Sequence, residues 1–91
     1  MIKITYATIL SNAIKKSGMK LSKISHLVGE ITGHTPTIEY LSRLKNGKTP
    51  PAGDKLNDAL ANVLNIDPLE LRAAAYREKI PKEILDKLNT A

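Results

Sequence analysis

The stretch from Thr35 to Lys48 reads Thr-Pro-Thr-Ile-Glu-Tyr-Leu-Ser-Arg-Leu-Lys-Asn-Gly-Lys. Threonines and a proline open it, as at a helix start. Ile38, Leu41 and Leu44 follow at helical spacing, and Asn46-Gly47 is a helix stop. Arg43, Lys45 and Lys48 crowd its far end. A short helix with one buried stripe and a basic C-terminal end can enter the major groove of duplex DNA. Arg43 is the type that pairs with guanine. Glu39 could accept from cytosine N4, and Ile38 could pack on a thymine methyl. The alternatives are Ile38 in the core and Glu39 as a favourable charge at a helix N-terminus. Lys20, Ser22 and Lys23 begin an earlier segment, where ammonium groups and unpaired amides can hold phosphates.

Helical periodicity runs through nearly the whole chain, with no internal repeat. A first helix is expected from about Tyr6 to Ser17. Thr5 is its cap, Gly18 its stop, and Leu10, Ala13 and Ile14 its inner face. A second starts near Lys20 or Leu21, with a stripe of Leu21, Ile24, Val28 and Ile31. Gly29 lies inside that pattern, so the helix ends there or at Gly33. Glu30 to Pro36 then reads as a connector, with Thr35 or Thr37 capping the third helix. Thr49-Pro50-Pro51-Ala52-Gly53 is a stiff loop. A fourth helix starts at Gly53 or Asp54 and buries Leu56, Leu60, Val63 and Leu64. Ala59 and Ala61 allow close approach, and Asn65 suits a left-handed end. In Asp67-Pro68-Leu69-Glu70, Asp67 accepts from first-turn amides, Pro68 takes the first helical position and Glu70 reaches back. The fifth helix runs to about Glu78, and Pro81 opens a short sixth with Ile84, Leu85 and Leu88.

The elements sum to one all-α domain of 91 residues. Phe and Trp are absent, so Leu, Ile, Val and Ala do the packing. The net charge of +5 is uneven. Residues 1–49 hold eight Lys/Arg against two Glu, whereas residues 50–91 hold six against seven Asp/Glu. A basic half beside a nearly neutral one suits a polyanion-facing side joined to a support or pairing side. Ordinary solvation is the plainer reading of that charge.

Other chemistry finds little support. There is no Cys, which removes disulfides and thiolate metal sites. His26 and His34 lack a third ligand, so no metal is expected. No nucleophile–base–acid arrangement and no phosphate-cradling glycine loop is present, so neither an enzyme nor a cofactor is expected. No apolar run approaches the roughly 18 residues that cross a bilayer. The opening Met-Ile-Lys-Ile-Thr-Tyr lacks a signal peptide's apolar segment, and a cytoplasmic, nucleoid-associated location is expected.

Leu21-Ser22-Lys23-Ile24-Ser25, followed by Tyr40-Leu41-Ser42-Arg43-Leu44-Lys45-Asn46-Gly47-Lys48, resembles the phage-repressor helix-turn-helix family (Cro-like, or Xre). Leu-Asn-Ile-Asp-Pro-Leu-Glu-Leu, ending at Leu71, resembles that family's later helices. The likeness covers about residues 6–76. It implies a lambda-repressor-like fold of five or six helices, and a bacterial or mobile-element source. It places Thr37, Ile38, Glu39 and Arg43 where the family reads bases. It places Asn46 and Lys48 at phosphates, and Tyr40 against backbone or methyl groups. The link between helices two and three departs from the family, with Glu30-Ile31-Thr32-Gly33-His34 as extra material. That segment either lengthens helix two or forms a loop.

The function expected is sequence-specific binding of double-stranded DNA, as a small transcriptional repressor. Residues 1–76 form the DNA-binding domain. Residues 77–91 form a C-terminal helical extension, a candidate homodimerisation element together with helix five, because Ala73, Ala74 and Ala75 let a second helix approach and Ile84, Leu85 and Leu88 form an apolar strip; the alternative is that this tail packs back on its own domain. A protein antagonist is a further candidate partner of such a repressor, and the competing class is a protein-interaction module, an antitoxin or adaptor of the same fold. RNA binding is the weaker alternative, because stacking aromatics are scarce.

Overall fold

Capping chemistry sets each helix boundary. The computed structural model describes residues 5–79 together with Ile84 and Lys87. Five helices occur among them, and no strand: α1 (Tyr6–Ser17), α2 (Leu21–Thr32), α3 (Ile38–Lys45), α4 (Asp54–Leu64) and α5 (Pro68–Lys79). The Thr5 hydroxyl accepts from Thr8 N, and Gly18 ends α1 at φ 69°. Asp67 Oδ1 accepts from Leu69 N at 2.9 Å to start α5. The return bond expected from Glu70 is not formed among the described residues; Glu70 is exposed. At the end of α4, Asn65 adopts φ 57° while Ile66 N donates to Ala61 O. That is a left-handed cap closed by a backward bond.

α4 packs on α2 and α5, and α1 lies against α3 and α5. Each helix sends residues into one apolar core. Leu10, Ile24, Val28, Leu44, Leu60 and Leu71 are fully buried there. Tyr6 is the aromatic of that core, and its hydroxyl donates to Asn57 Oδ1 at 2.6 Å. Asn57 is also fully buried, and its Nδ2 donates to Ala52 O at 2.9 Å. The polar pair is therefore satisfied inside the core. The end of α5 closes over the start of α1, where Tyr6 N donates to Glu78 Oε2 at 2.6 Å.

Of the two ends expected for α2, the one at Gly33 is observed: Glu30, Ile31 and Thr32 continue the helix, and the connector is 33–37 in place of the expected 30–36. Two further expectations are corrected. Ile31 is 51% exposed and not part of the core. Its helical angle is right, but it lies in the last turn, where the chain turns away. Ala74 and Ala75 are buried within the chain's own core, leaving only Ala73 of the three outside. Their small side chains admit α1 and α4, not a second copy. For the sixth helix, Ile84 and Lys87 are helical and exposed, while Leu85 and Leu88 lie outside the described residues. Residues 1–4 lie outside them as well. No described helix is long and apolar enough to cross a membrane.

Candidate nucleic-acid interface

α3 has eight residues and is closed at both ends by its own side chains and turns. Thr37 Oγ1 accepts from Tyr40 N at 3.0 Å. At the other end Gly47 takes φ 71°, Gly47 N donates to Leu44 O and Lys48 N donates to Arg43 O at 2.9 Å. These two backward bonds satisfy carbonyls that would otherwise be orphaned. Leu41 and Leu44 are buried against the body, whereas Ile38 is 50% exposed. The Ile38 side chain is thus outside the core. Glu39 and Arg43 are exposed on the outer side, and the Arg43 guanidinium lies 3.7 Å from the Glu39 carboxylate. An exposed i,i+4 pair of this kind adds little stability. It does align the guanidinium along the outer face.

The connector fixes how α3 leaves α2. Gly33 turns the chain at φ 83°. Thr32 Oγ1 donates to His34 O at 2.9 Å and accepts from His34 N. The Ser25 hydroxyl, nearly buried on α2, donates to the Pro36 carbonyl. Thr35 lies so close over Gly29 that a Cβ there would meet Thr35 Oγ1 at 2.3 Å and Thr35 Cα at 3.2 Å. Gly29 is therefore a contact residue in mid-helix. Ser25 and the Gly29 contact are the positioning features that the sequence reading missed. An otherwise unfavourable glycine inside a strong helical stripe was the available signal.

Lys20, Ser22 and Lys23 gather at the start of α2 and are all exposed. No side chain caps that helix, although Ile24 N and Lys23 N both bond Lys20 O. The first amides of α2 therefore remain available to an anion. Asn46 and Lys48 are exposed just beyond α3, and Tyr40 is half-buried on its flank. A polar cleft brings Lys45 and Asn46 together with Thr8, Ser11 and Asn12 of α1, a neighbourhood that the sequence does not announce.

The uneven charge becomes a division between helices. The two acidic residues within α1–α3 each lie beside a partner: Glu39 by Arg43, and Glu30 Oε1 at 2.7 Å from His26 Nε2. That contact gives His26 a role on the surface of α2. Among the described residues no three His, Asp or Glu converge as metal ligands would. In α4 and α5, Arg72 bridges Asp54 at 3.3 Å and Asp58 at 3.8 Å. The Tyr76 hydroxyl donates to Asp54 Oδ2 at 2.6 Å. That bond, helped by Arg72, holds the Asp54 carboxyl below its usual range. The acids of the second half are thus partly spent on joining α4 to α5.

No family model, no curated protein and no solved structure matches this chain.

Proposed function

We propose that this chain binds double-stranded DNA sequence-specifically, as a small repressor of a bacterial or mobile-element operon. In this reading the fold is a lambda-repressor-like helix-turn-helix domain of the Cro-like type. The observation that carries it is the two-sidedness of α3. Leu41 and Leu44 anchor the helix inside, while Ile38, Glu39 and Arg43 stay outside it on a basic half of the molecule. Thr37, Ile38, Glu39 and Arg43 read bases. Lys20, Ser22, Lys23, Tyr40, Asn46 and Lys48 meet the backbone. The uncapped start of α2 supports the phosphate role. A cytoplasmic, nucleoid-associated location follows from this reading.

A palindromic operator calls for a homodimer. Leu69 is 68% exposed and Tyr76 48% exposed, with exposed Ala73 between them on α5. The i, i+4, i+7 spacing puts the three on one face. This face is the proposed pairing surface. The same apolar face favours the second reading, an antitoxin or adaptor that holds a protein.

Selection of bound fragments from a random duplex pool tests the reading directly. We expect an enriched motif and affinity that falls steeply with salt. Lys48→Ala should weaken all duplexes alike, and Arg43→Ala should cost about 1–3 kcal/mol mainly on the selected site. No enrichment, with salt-independent or absent binding, overturns the proposal. Sedimentation of a monomer both free and on the selected site removes the dimer.

A further inference from the structure

A second concavity lies beside the leading end of α3, between the connector and the first turn of α4. His34, Thr35, Pro36, Tyr40, Lys55 and Leu56 contribute to its walls, and its volume is about 470 Å³. Clefts of roughly 300–1,000 Å³ suit small organic ligands. Most of its wall is apolar, from the Pro36 ring, the Tyr40 ring and Leu56. The ionisable residues Lys55 and His34 stand at it, and no acid lines it. Lys55 is exposed, and no ion pair to it forms among the described residues. An apolar floor with a cation at one edge matches an amphipathic anion. The walls are firm, because the Ser25 bond and the Gly29–Thr35 contact hold the connector in place.

The geometry points to a binding site for a small organic acid, a ring or short chain bearing one carboxylate, whose occupancy weakens the hold of α3 on DNA. The ring lies against Pro36, Tyr40 and Leu56, and the carboxylate meets Lys55. Thr37 and Tyr40 belong both to this cleft and to the leading turn of α3. A bound carboxylate therefore brings negative charge to the end of the helix that enters the groove of a polyanion in the DNA-binding reading. Charges within about 10 Å still interact at ordinary salt. The regulatory half of the inference rests on the DNA-binding reading; the binding half does not.

The test titrates the full chain with 3-phenylpropanoate and follows amide proton–nitrogen correlation spectra. Acetate serves as the charge-only control and 3-phenylpropan-1-ol as the neutral isostere. We expect saturable shifts at Thr35, Thr37, Tyr40 and Leu56 with the acid, none with acetate, and about tenfold weaker binding of the alcohol, a difference of ~1.4 kcal/mol. Lys55→Gln, at an exposed position, should bring the acid down to the level of the alcohol. Shifts that never saturate, equal binding of acid and alcohol, or an unchanged Lys55→Gln response overturn the site. Duplex affinity for the selected DNA is then measured with the cleft filled. A severalfold loss supports the regulatory half, and unchanged affinity overturns it. A chain that fills its cleft but never binds any duplex refutes the DNA reading and leaves the site standing.

Discussion

Replacing Gly29 by alanine sets two effects of known size against each other. Alanine in a helix interior is favoured over glycine by about 1 kcal/mol. Here its Cβ would lie 2.3 Å from Thr35 Oγ1, 3.1 Å from Thr35 Cβ and 3.2 Å from Thr35 Cα. Turning the exposed Thr35 side chain relieves the first conflict. It cannot relieve the other two, because carbon atoms rest at about 3.5–4.0 Å. The connector must retreat by a few tenths of an ångström, and the Ser25–Pro36 bond one residue further on resists that movement. Overpacking of this kind costs about 1–3 kcal/mol. The net expectation is a loss of about 1 kcal/mol, which lowers Tm by roughly 4–8 °C in a domain of this size. Urea unfolding of a four-member cycle measures it, with Gly29→Ala made alone and in a Thr35→Gly chain. In the second background the clash is reduced, and alanine should stabilise. A Gly29→Ala chain that gains stability while Thr35 is present would refute the close packing of connector on helix.

Ser25→Ala removes the donor to the Pro36 carbonyl, and about 0.5–1.5 kcal/mol of stability should go with it in urea unfolding. Duplex affinity should fall too; full retention on the selected site would show that the connector does not hold α3 in register. Asn57→Ala strips the Tyr6 hydroxyl of its acceptor, at an expected cost of about 1–3 kcal/mol, while the Ala52 carbonyl keeps its bond from Lys79 Nζ at 3.3 Å. A loss well under 1 kcal/mol in chemical denaturation would contradict that placement. Burial pushes the Tyr6 phenol up to about 12 from an ordinary 10.0. The unfolded chain therefore releases this proton first, so the contribution is whole below about pH 10 and disappears as pH rises toward 12. Stability curves of the native chain and Tyr6→Phe should converge over that range, because lysine titration is common to both. Parallel curves would place the phenol in water.

Local signals were enough for most of the fold. The hydroxyls of Thr5 and Thr37, the glycines Gly18 and Gly47, and Asp67-Pro68 all act within four residues of themselves, so the sequence displays them. What was misread depends on neighbours far along the chain. Gly29 reads as a weak point of α2 until Thr35 is seen lying on it. Alanines at 74 and 75 announce a close approach but not to which helix. The bond from Tyr6 to Asn57 spans 51 positions, and the one from Tyr76 to Asp54 spans 22, so neither leaves a local trace. The exposure of Glu39 and Arg43 opposite buried Leu41 and Leu44 was legible because the two sides of a short amphipathic helix follow from its period. The cleft was not, since α4 and the connector supply its walls from separate parts of the chain.

An eight-residue helix spans about 12 Å and would be marginal alone in water. To serve as the reading head of the proposed function, α3 must nevertheless hold its side chains in fixed register. Its rigidity therefore has to come from outside its own hydrogen bonds. Two buried leucines supply one part, and the caps at Thr37 and Gly47 supply another. Neither sets the direction in which the helix leaves α2. That direction is set by Ser25, Gly29 and Gly33, none of which is on α3. The five connector residues, 33–37, then act as a fitted spacer. The proposed function consequently depends as much on α2's contact with the connector as on Arg43. Variants that shift the connector should lose preference among DNA sequences before they lose phosphate contacts, because the lysines at the start of α2 stay where they were.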